Sequence, residues 1–229
     1  MRHLLQEAAH FFTHFDGAFF KTVRLLFTQP GFVSAEYVHG IRKKHFKPLS
    51  LFLLCVVLYL LFPAFSGLNM KFTTYLSDNF EYRGLVKNIA EKKAAAKNIS
   101  LTELSEMYDA RSGKVSKILL LLYLPLSAFM LFGIFFRQRK YFFDHFILSA
   151  ELNSFLIAFG FLLLPFILYT GNSFGILFLN EITIRFIIGG AFLAVILIAF
   201  KRFYRKSWVW TVIKSLLFLA VFLFIINPL

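Results

Sequence analysis

Cysteine is all but absent from this chain of 229 residues: Cys55 stands alone, within an apolar run. A lone cysteine excludes an intramolecular disulfide and any Cys-x-x-Cys zinc pair, so sulfur says nothing about the redox compartment. Charge is scarce as well, at 16% of residues, where a soluble domain carries about a quarter. Acids are the scarcer sign: 12 Asp and Glu face 25 Lys and Arg, for a formal net charge of +13. Also missing are Gly-x-Ser-x-Gly, His-Glu-x-x-His, a phosphate loop and a Gly-x-Gly-x-x-Gly placed after a strand. These absences weigh against a disulfide scaffold, a zinc ribbon and familiar soluble catalysis. They imply no cofactor and leave an intramembrane activity open.

What the chain has in abundance is apolar side chain. It is 59% hydrophobic, with 33 Phe and nine Tyr, and its mean hydropathy is +0.70. Five segments approach the roughly 20 apolar residues that a helix needs to cross a hydrocarbon core: Leu49–Leu68, Ile118–Phe136, Phe146–Thr170, Ile182–Phe200 and Trp208–Ile226. The first follows 48 residues of patterned sequence, which does not suit a cleaved signal peptide. Pro63, Pro125 and Pro165 fall inside spans, as they do in packed bundles where neighbours re-satisfy the freed carbonyls. The expected fold is therefore all-α, a multi-pass membrane helix bundle.

The basic residues cluster at the ends of the spans. Arg42, Lys43, Lys44 and Lys47 precede the first, Arg137, Arg139 and Lys140 follow the second, and Lys201, Arg202, Arg205 and Lys206 separate the last two. That is cytoplasmic anchoring and not a nucleic-acid footprint. An N-terminus inside and a C-terminus outside puts most Lys and Arg on the cytoplasmic face and leaves the loop Gly171–Glu181 without any. Lys114 and Lys117 oppose this orientation, whereas Arg185 and Lys214 lie near enough to span ends to snorkel. The expected location is a bacterial inner membrane.

Residues 1–48 form the expected cytoplasmic lead. At about 100° per residue, Leu4, Ala8, Phe11, Phe12, Phe15, Phe19, Val23 and Leu26 share one helical face, with His3, Glu7, His10, His14 and Lys21 opposite. Such a helix lies in the membrane interface. Its histidine face has metal-compatible spacing, although a solvated polar face has the same appearance. Gln29-Pro30-Gly31 ends this helix, and a short one over Phe32–His39 follows. Residues 69–117 read as an extracytoplasmic helical hairpin: an Ala/Glu/Lys-rich helix in Phe80–Lys97, then a capping box Ser100-Leu101-Thr102-Glu103 opening a helix that Arg111-Ser112-Gly113 closes. Tyr75, Phe80, Leu85, Ile89, Leu101, Leu104 and Tyr108 are available for its contact face. Residues 118–229 then supply a four-helix bundle.

Two constellations carry candidate chemistry. In RKYFFDHFILSAELNSF (residues 139–155), Asp144, His145, Glu151 and Asn153 form a candidate polar centre. Asp144 and Glu151 share a helical face but stand about 10.5 Å apart along the axis, too far for one metal ion. A metal site would need Glu36, His39, His45 or Glu181 from another element, so none is assigned. Glu151 within a span needs a donor, with His145 or Arg42 as candidates. The second constellation is the basic run Arg42, Lys43, Lys44 and Lys47, adjoining both a span and the interfacial helix. It suits anionic lipid headgroups as well as plain positive-inside anchoring.

Thr22, Pro30, Gly31, Tyr37, Gly40, Arg42 and Pro48, running straight into a span, resemble the bacterial domain-of-unknown-function family 3667. Tyr141 to His145, followed by Phe146 and Phe155, resembles that family's second motif. The resemblance implies a membrane bundle and no defined activity. The family's usual N-terminal zinc ribbon is absent, and Glu151 and Asn153 stand where its histidines occur. Two functions remain in play: a non-enzymatic module binding lipid or a partner membrane protein, or a small transporter or membrane enzyme built on Asp144, His145 and Glu151.

Overall fold

A computed structural model describes residues 17–61, 72–76, 83–173 and 181–226, and no strand occurs among them. The elements in chain order are α1 (Gly17–Thr28), α2 (Phe32–Val38), α3 (Pro48–Leu61), α4 (Phe72–Tyr75), α5 (Arg83–Lys97), α6 (Leu101–Phe135) and α7 (Phe142–Phe155). A π-helical segment, Leu156–Leu163, continues α7 into α8 (Leu164–Ser173), and α9 (Glu181–Tyr204) and α10 (Trp208–Ile226) complete the order.

Three helical stretches are long and apolar enough to cross a membrane: Ile118–Phe135, Phe142–Gly171 and Phe186–Tyr204. Pro48–Leu61 and Trp208–Phe222 are shorter apolar helices, and residues 62–68 of the expected first span lie outside the described residues. The third expected span begins earlier than its hydropathy suggested. Asp144 and His145 belong to α7 and are buried.

α7 is the axis of the bundle. It packs on α6 and α3 most extensively, and also on α1, α2 and α9. From Ile147 to Phe155 every residue is buried, so its polar residues all face protein. The core around it includes Leu51, Phe52, Leu124, Leu131, Phe135, Ile196, Phe200 and Phe218. Beyond Phe155 the chain widens into the π segment before Pro165, where Leu164 N–H donates to the Phe159 carbonyl five residues back. The wider turn accommodates a proline ring that would otherwise meet the carbonyl four residues earlier.

α6 departs from expectation. Ser100 Oγ accepts the Glu103 N–H at 3.1 Å, as a capping box requires, but Arg111-Ser112-Gly113 does not end the helix. One helical glycine costs only about 1 kcal/mol relative to alanine, too little to stop a helix already extended on both sides. The hairpin contact face keeps the expected Leu104 and a Tyr75–Tyr108 ring contact but differs elsewhere. Its small core holds Phe72, Ala90, Ala94 and Leu104, while Leu85 and Ile89 are 65% and 63% exposed. Ala at 90 and 94 lets α5 lie close to α6. Phe80, and the N-terminal face from Leu4 to Phe15 with its histidines, lie outside the described residues.

Candidate functional site

The Pro-Gly turn and Glu151 form one unit. α2 opens on Gly31, which has φ of 78° and offers no side-chain cap. Its first-turn N–H groups therefore need an outside acceptor, and Glu151 of α7 supplies it. One carboxylate oxygen accepts the Gly31 N–H at 2.7 Å and the other accepts the Ser34 N–H at 2.8 Å. The Ser34 hydroxyl also donates to Glu151 and lies 3.2 Å from the Ile147 carbonyl. Each group that bonds Glu151 here is a donor, which suits an acceptor carboxylate at a helix N-terminus.

Gly31 is required twice over. Its positive φ disfavours side chains, and an added Cβ would meet Ala199 Cα at 2.7 Å and Ala199 O at 2.8 Å. α9 thus presses directly on the turn. Arg202 reinforces that contact, donating to the Pro30 carbonyl at 2.9 Å and lying over the Phe32 ring at 5.9 Å. The expected donors for Glu151, His145 and Arg42, are replaced by the backbone of residues 31–34 and the Ser34 hydroxyl. A six-residue separation on α7 sends His145 to a different level and face.

Asp144 and His145 secure the mouth of α7 instead. Arg139 pairs with Asp144 at 3.1 Å, lies 4.3 Å from the Phe203 ring centroid and donates to the Phe203 carbonyl at 3.4 Å. His145 Nε2 lies 3.1 Å from the Arg139 carbonyl, which can only accept, so Nε2 carries the hydrogen. Nδ1 then accepts from the Tyr204 hydroxyl at 2.8 Å. Tyr204 stacks on Phe135 with centroids 3.7 Å apart, which ties α6, α7 and α9 together at one end.

Asn153 faces the other way, toward α6. Its amide donates to Ser127 Oγ and to the Ser149 carbonyl, both at 2.8 Å. Ser149 Oγ donates to the Leu124 carbonyl at 2.9 Å, beside Pro125. The four candidate residues therefore serve three separate contacts and do not converge on one cavity. Among the described residues no group of three or more His, Cys, Asp or Glu could hold a metal ion.

The remaining motif residues shape the lead into α3. Thr22 Oγ1 accepts the Phe46 N–H at 2.9 Å and donates to the Ala18 carbonyl at 2.7 Å. Gly40, with φ of 91°, ends α2. There the Ile41 N–H reaches the Glu36 carbonyl and the Gly40 N–H the Tyr37 carbonyl, the paired bonds of a Schellman motif. Glu36 also pairs with the buried His45, and Pro48 is buried as the first residue of α3. Arg42 lies over the rings of Tyr37 and Phe143, at 5.4 and 6.0 Å. Arg42, Lys43, Lys44 and Lys47 all face outward.

Residues 16–60 match the model of a protein family of unknown function, DUF3667. All seven motif residues from Thr22 to Pro48 fall within the match, which ends well before α7. No curated protein and no solved structure matches the chain. The geometry explains why the family-like turn and Glu151 belong together: one is the unsatisfied helix start, the other its acceptor.

Ser34, Ser127, Ser149, Arg202 and Tyr204 were not legible as site residues. One signal did exist for the first of them. A helix opened by glycine without Ser, Thr, Asp or Asn as its cap needs an acceptor from elsewhere in the chain, and Glu151 is the carboxylate nearest mid-span.

Proposed function

We propose that this chain is a five-span protein of a bacterial inner membrane, N-terminus inside and C-terminus outside, that binds anionic lipid or a partner membrane protein without catalysing a reaction. The three long apolar helices and the two shorter ones support the span count. The observation that carries the functional reading is the use made of Glu151. Its carboxylate is committed to the start of α2, whereas Arg42, Lys43 and Lys44 project from the loop that this clamp positions. α1 extends the interfacial face, with Val23 and Leu26 turned to the bundle and Lys21 and Arg24 exposed.

Replacing Arg42, Lys43 and Lys44 together with Gln is expected to reduce binding of anionic nanodiscs by roughly tenfold or more, at about 1 kcal/mol per basic residue near the surface. Equal binding of the wild type to anionic and neutral nanodiscs would end the lipid reading, leaving a cross-linking capture to test the protein partner. Orientation is open to labelling: a cysteine at the exposed Asn88, after Cys55 is replaced, should react only from outside. The second reading, a transporter or membrane enzyme, is favoured by three buried ionisable residues on one helix, Asp144, His145 and Glu151. It requires that Glu151→Gln abolish function in a deletion-rescue assay even where folding survives.

A further inference from the structure

A second basic site lies on the same end of the bundle, away from the Arg42–Lys47 loop. α6, α9 and α10 leave a cleft of about 450 Å³ between their ends, whose lining includes Arg137, Lys206 and Lys214. Among the described residues no carboxylate lines it and none of the three pairs with an acid. Lys214 is held in place: Nζ donates to the Ile134 carbonyl at 2.9 Å and lies 4.5 Å from the Phe135 ring centroid. An ammonium has three donors, so two remain. Arg137 and Lys206 are exposed at the rim. Gln138 presents a buried amide oxygen without a partner. Gln138 is among the residues that line the cleft, and its amide O and N are interchangeable by rotation.

Three cations gathered without a counter-charge repel one another unless an anion joins them. Arg and Lys donors from the end of α6, the α9–α10 turn and α10 suit a phosphate oxyanion, which accepts several charge-assisted hydrogen bonds at once. Trp210 borders the cleft, Trp208 stands two residues away, and tryptophans favour the headgroup level of a bilayer. We infer that the cleft between Arg137, Lys206 and Lys214 binds a phosphate group, carried by an anionic lipid headgroup or by a free phosphate. The inference rests on the membrane-bundle reading above but not on the Arg42–Lys44 loop.

The chain's two tryptophans are Trp208 and Trp210, so intrinsic fluorescence reports this end directly. Purified full-length protein in a neutral detergent is titrated with short-chain phosphatidylglycerol, with the matching phosphatidylcholine and with inorganic phosphate. A saturable tryptophan response to phosphatidylglycerol but not to phosphatidylcholine or phosphate assigns a lipid headgroup. A saturable response to inorganic phosphate assigns a free phosphate. In either case Arg137→Gln with Lys206→Gln, which leaves the Lys214–Ile134 bond intact, should weaken binding by roughly tenfold or more, as expected for two lost charge-assisted contacts. A control on the hairpin, Lys92→Gln at an exposed position, should titrate like the wild type, which ties the loss to this cleft. The proposal is overturned if neither phosphatidylglycerol nor phosphate saturates the signal, or if the Arg137/Lys206 double variant responds unchanged.

Discussion

Two helix pairs share α6 and are held by different means. Along Leu120–Phe135, α6 meets α7 through the buried Ser127–Ser149–Asn153 cluster, with Leu124 and Leu131 buried in the shared core. Near its start, α6 meets α5 through Ala90, Ala94 and Leu104, with Leu85 and Ile89 left outside. Between apolar helices in lipid, burial of more apolar surface adds little attraction, so close packing and interhelical hydrogen bonds fix the contact. The hairpin instead relies on small residues that let two backbones approach. Its exposed Lys87–Glu91 pair, at 3.9 Å, contributes at most about 0.5 kcal/mol. Polar residues are thus structural where the chain is most apolar, and marginal where it is most polar.

The largest effect should come from breaking the Glu151 clamp. Glu151→Ala strands the N–H groups of Gly31 and Ser34 in a buried place and leaves the Ser34 hydroxyl only the Ile147 carbonyl. At about 1–3 kcal/mol for each unsatisfied donor, partly relieved by relaxation, a loss of about 3–5 kcal/mol is expected. Glu151→Gln should fall between, because its amide oxygen can replace one carboxylate oxygen while its NH2 opposes a donor. Unfolding in detergent, compared with the exposed Glu91→Ala, measures both. If Glu151→Ala unfolds no earlier than Glu91→Ala, the turn is held by Ala199 and Arg202 alone. Gly31→Ala offers an independent route to the same region, through collision with the α9 backbone.

How much of this was visible beforehand depends on the range of the interaction. The Pro30-Gly31 stop, the short α2, the Ser100 cap and the extent of α10 are local events, written in a few adjacent residues. The burial of Glu151 in an apolar helix, and the need of such a residue for a donor, were equally legible. The donor's identity was not, because residues 31–34 and 151 are joined only when α2 docks on α7. Helical periodicity turns Asn153 about 200° from Glu151, but it does not show that Ser127 waits beside Pro125. The same limit hid the α5 contact. Leu85 and Ile89 are the larger apolar residues, yet the alanines permit closer backbones, and closeness decided the face.

A smaller loss should follow Asn153→Leu, which removes the amide from the α6–α7 seam. Hydrogen bonds between membrane helices are worth about 0.6–2 kcal/mol, and Ser127 and Ser149 can still bond each other at 2.5 Å. A fall in stability of about 1 kcal/mol is expected on that basis. Pairing it with Ser127→Ala in a double-mutant cycle should show coupling, since the two side chains lie 2.8 Å apart. Strict additivity would mean that apolar packing alone fixes the seam, and the contrast with the hairpin would disappear.

The smallest effects belong to the hairpin, and they should divide by which face is altered. Leu85→Ser with Ile89→Ser changes side chains that are about two-thirds exposed, so global stability should move by no more than about 0.5 kcal/mol. Ala94→Leu adds bulk where α5 lies against α6, and overpacking of this kind costs about 1–3 kcal/mol. That loss should remain local. Hydrogen exchange should speed up in α5 amides, while those of α7 keep their protection, because local opening of a satellite cluster does not require the main core to open. Faster exchange in α7 as well would show the hairpin and the bundle to be one cooperative unit, joined through the uninterrupted α6.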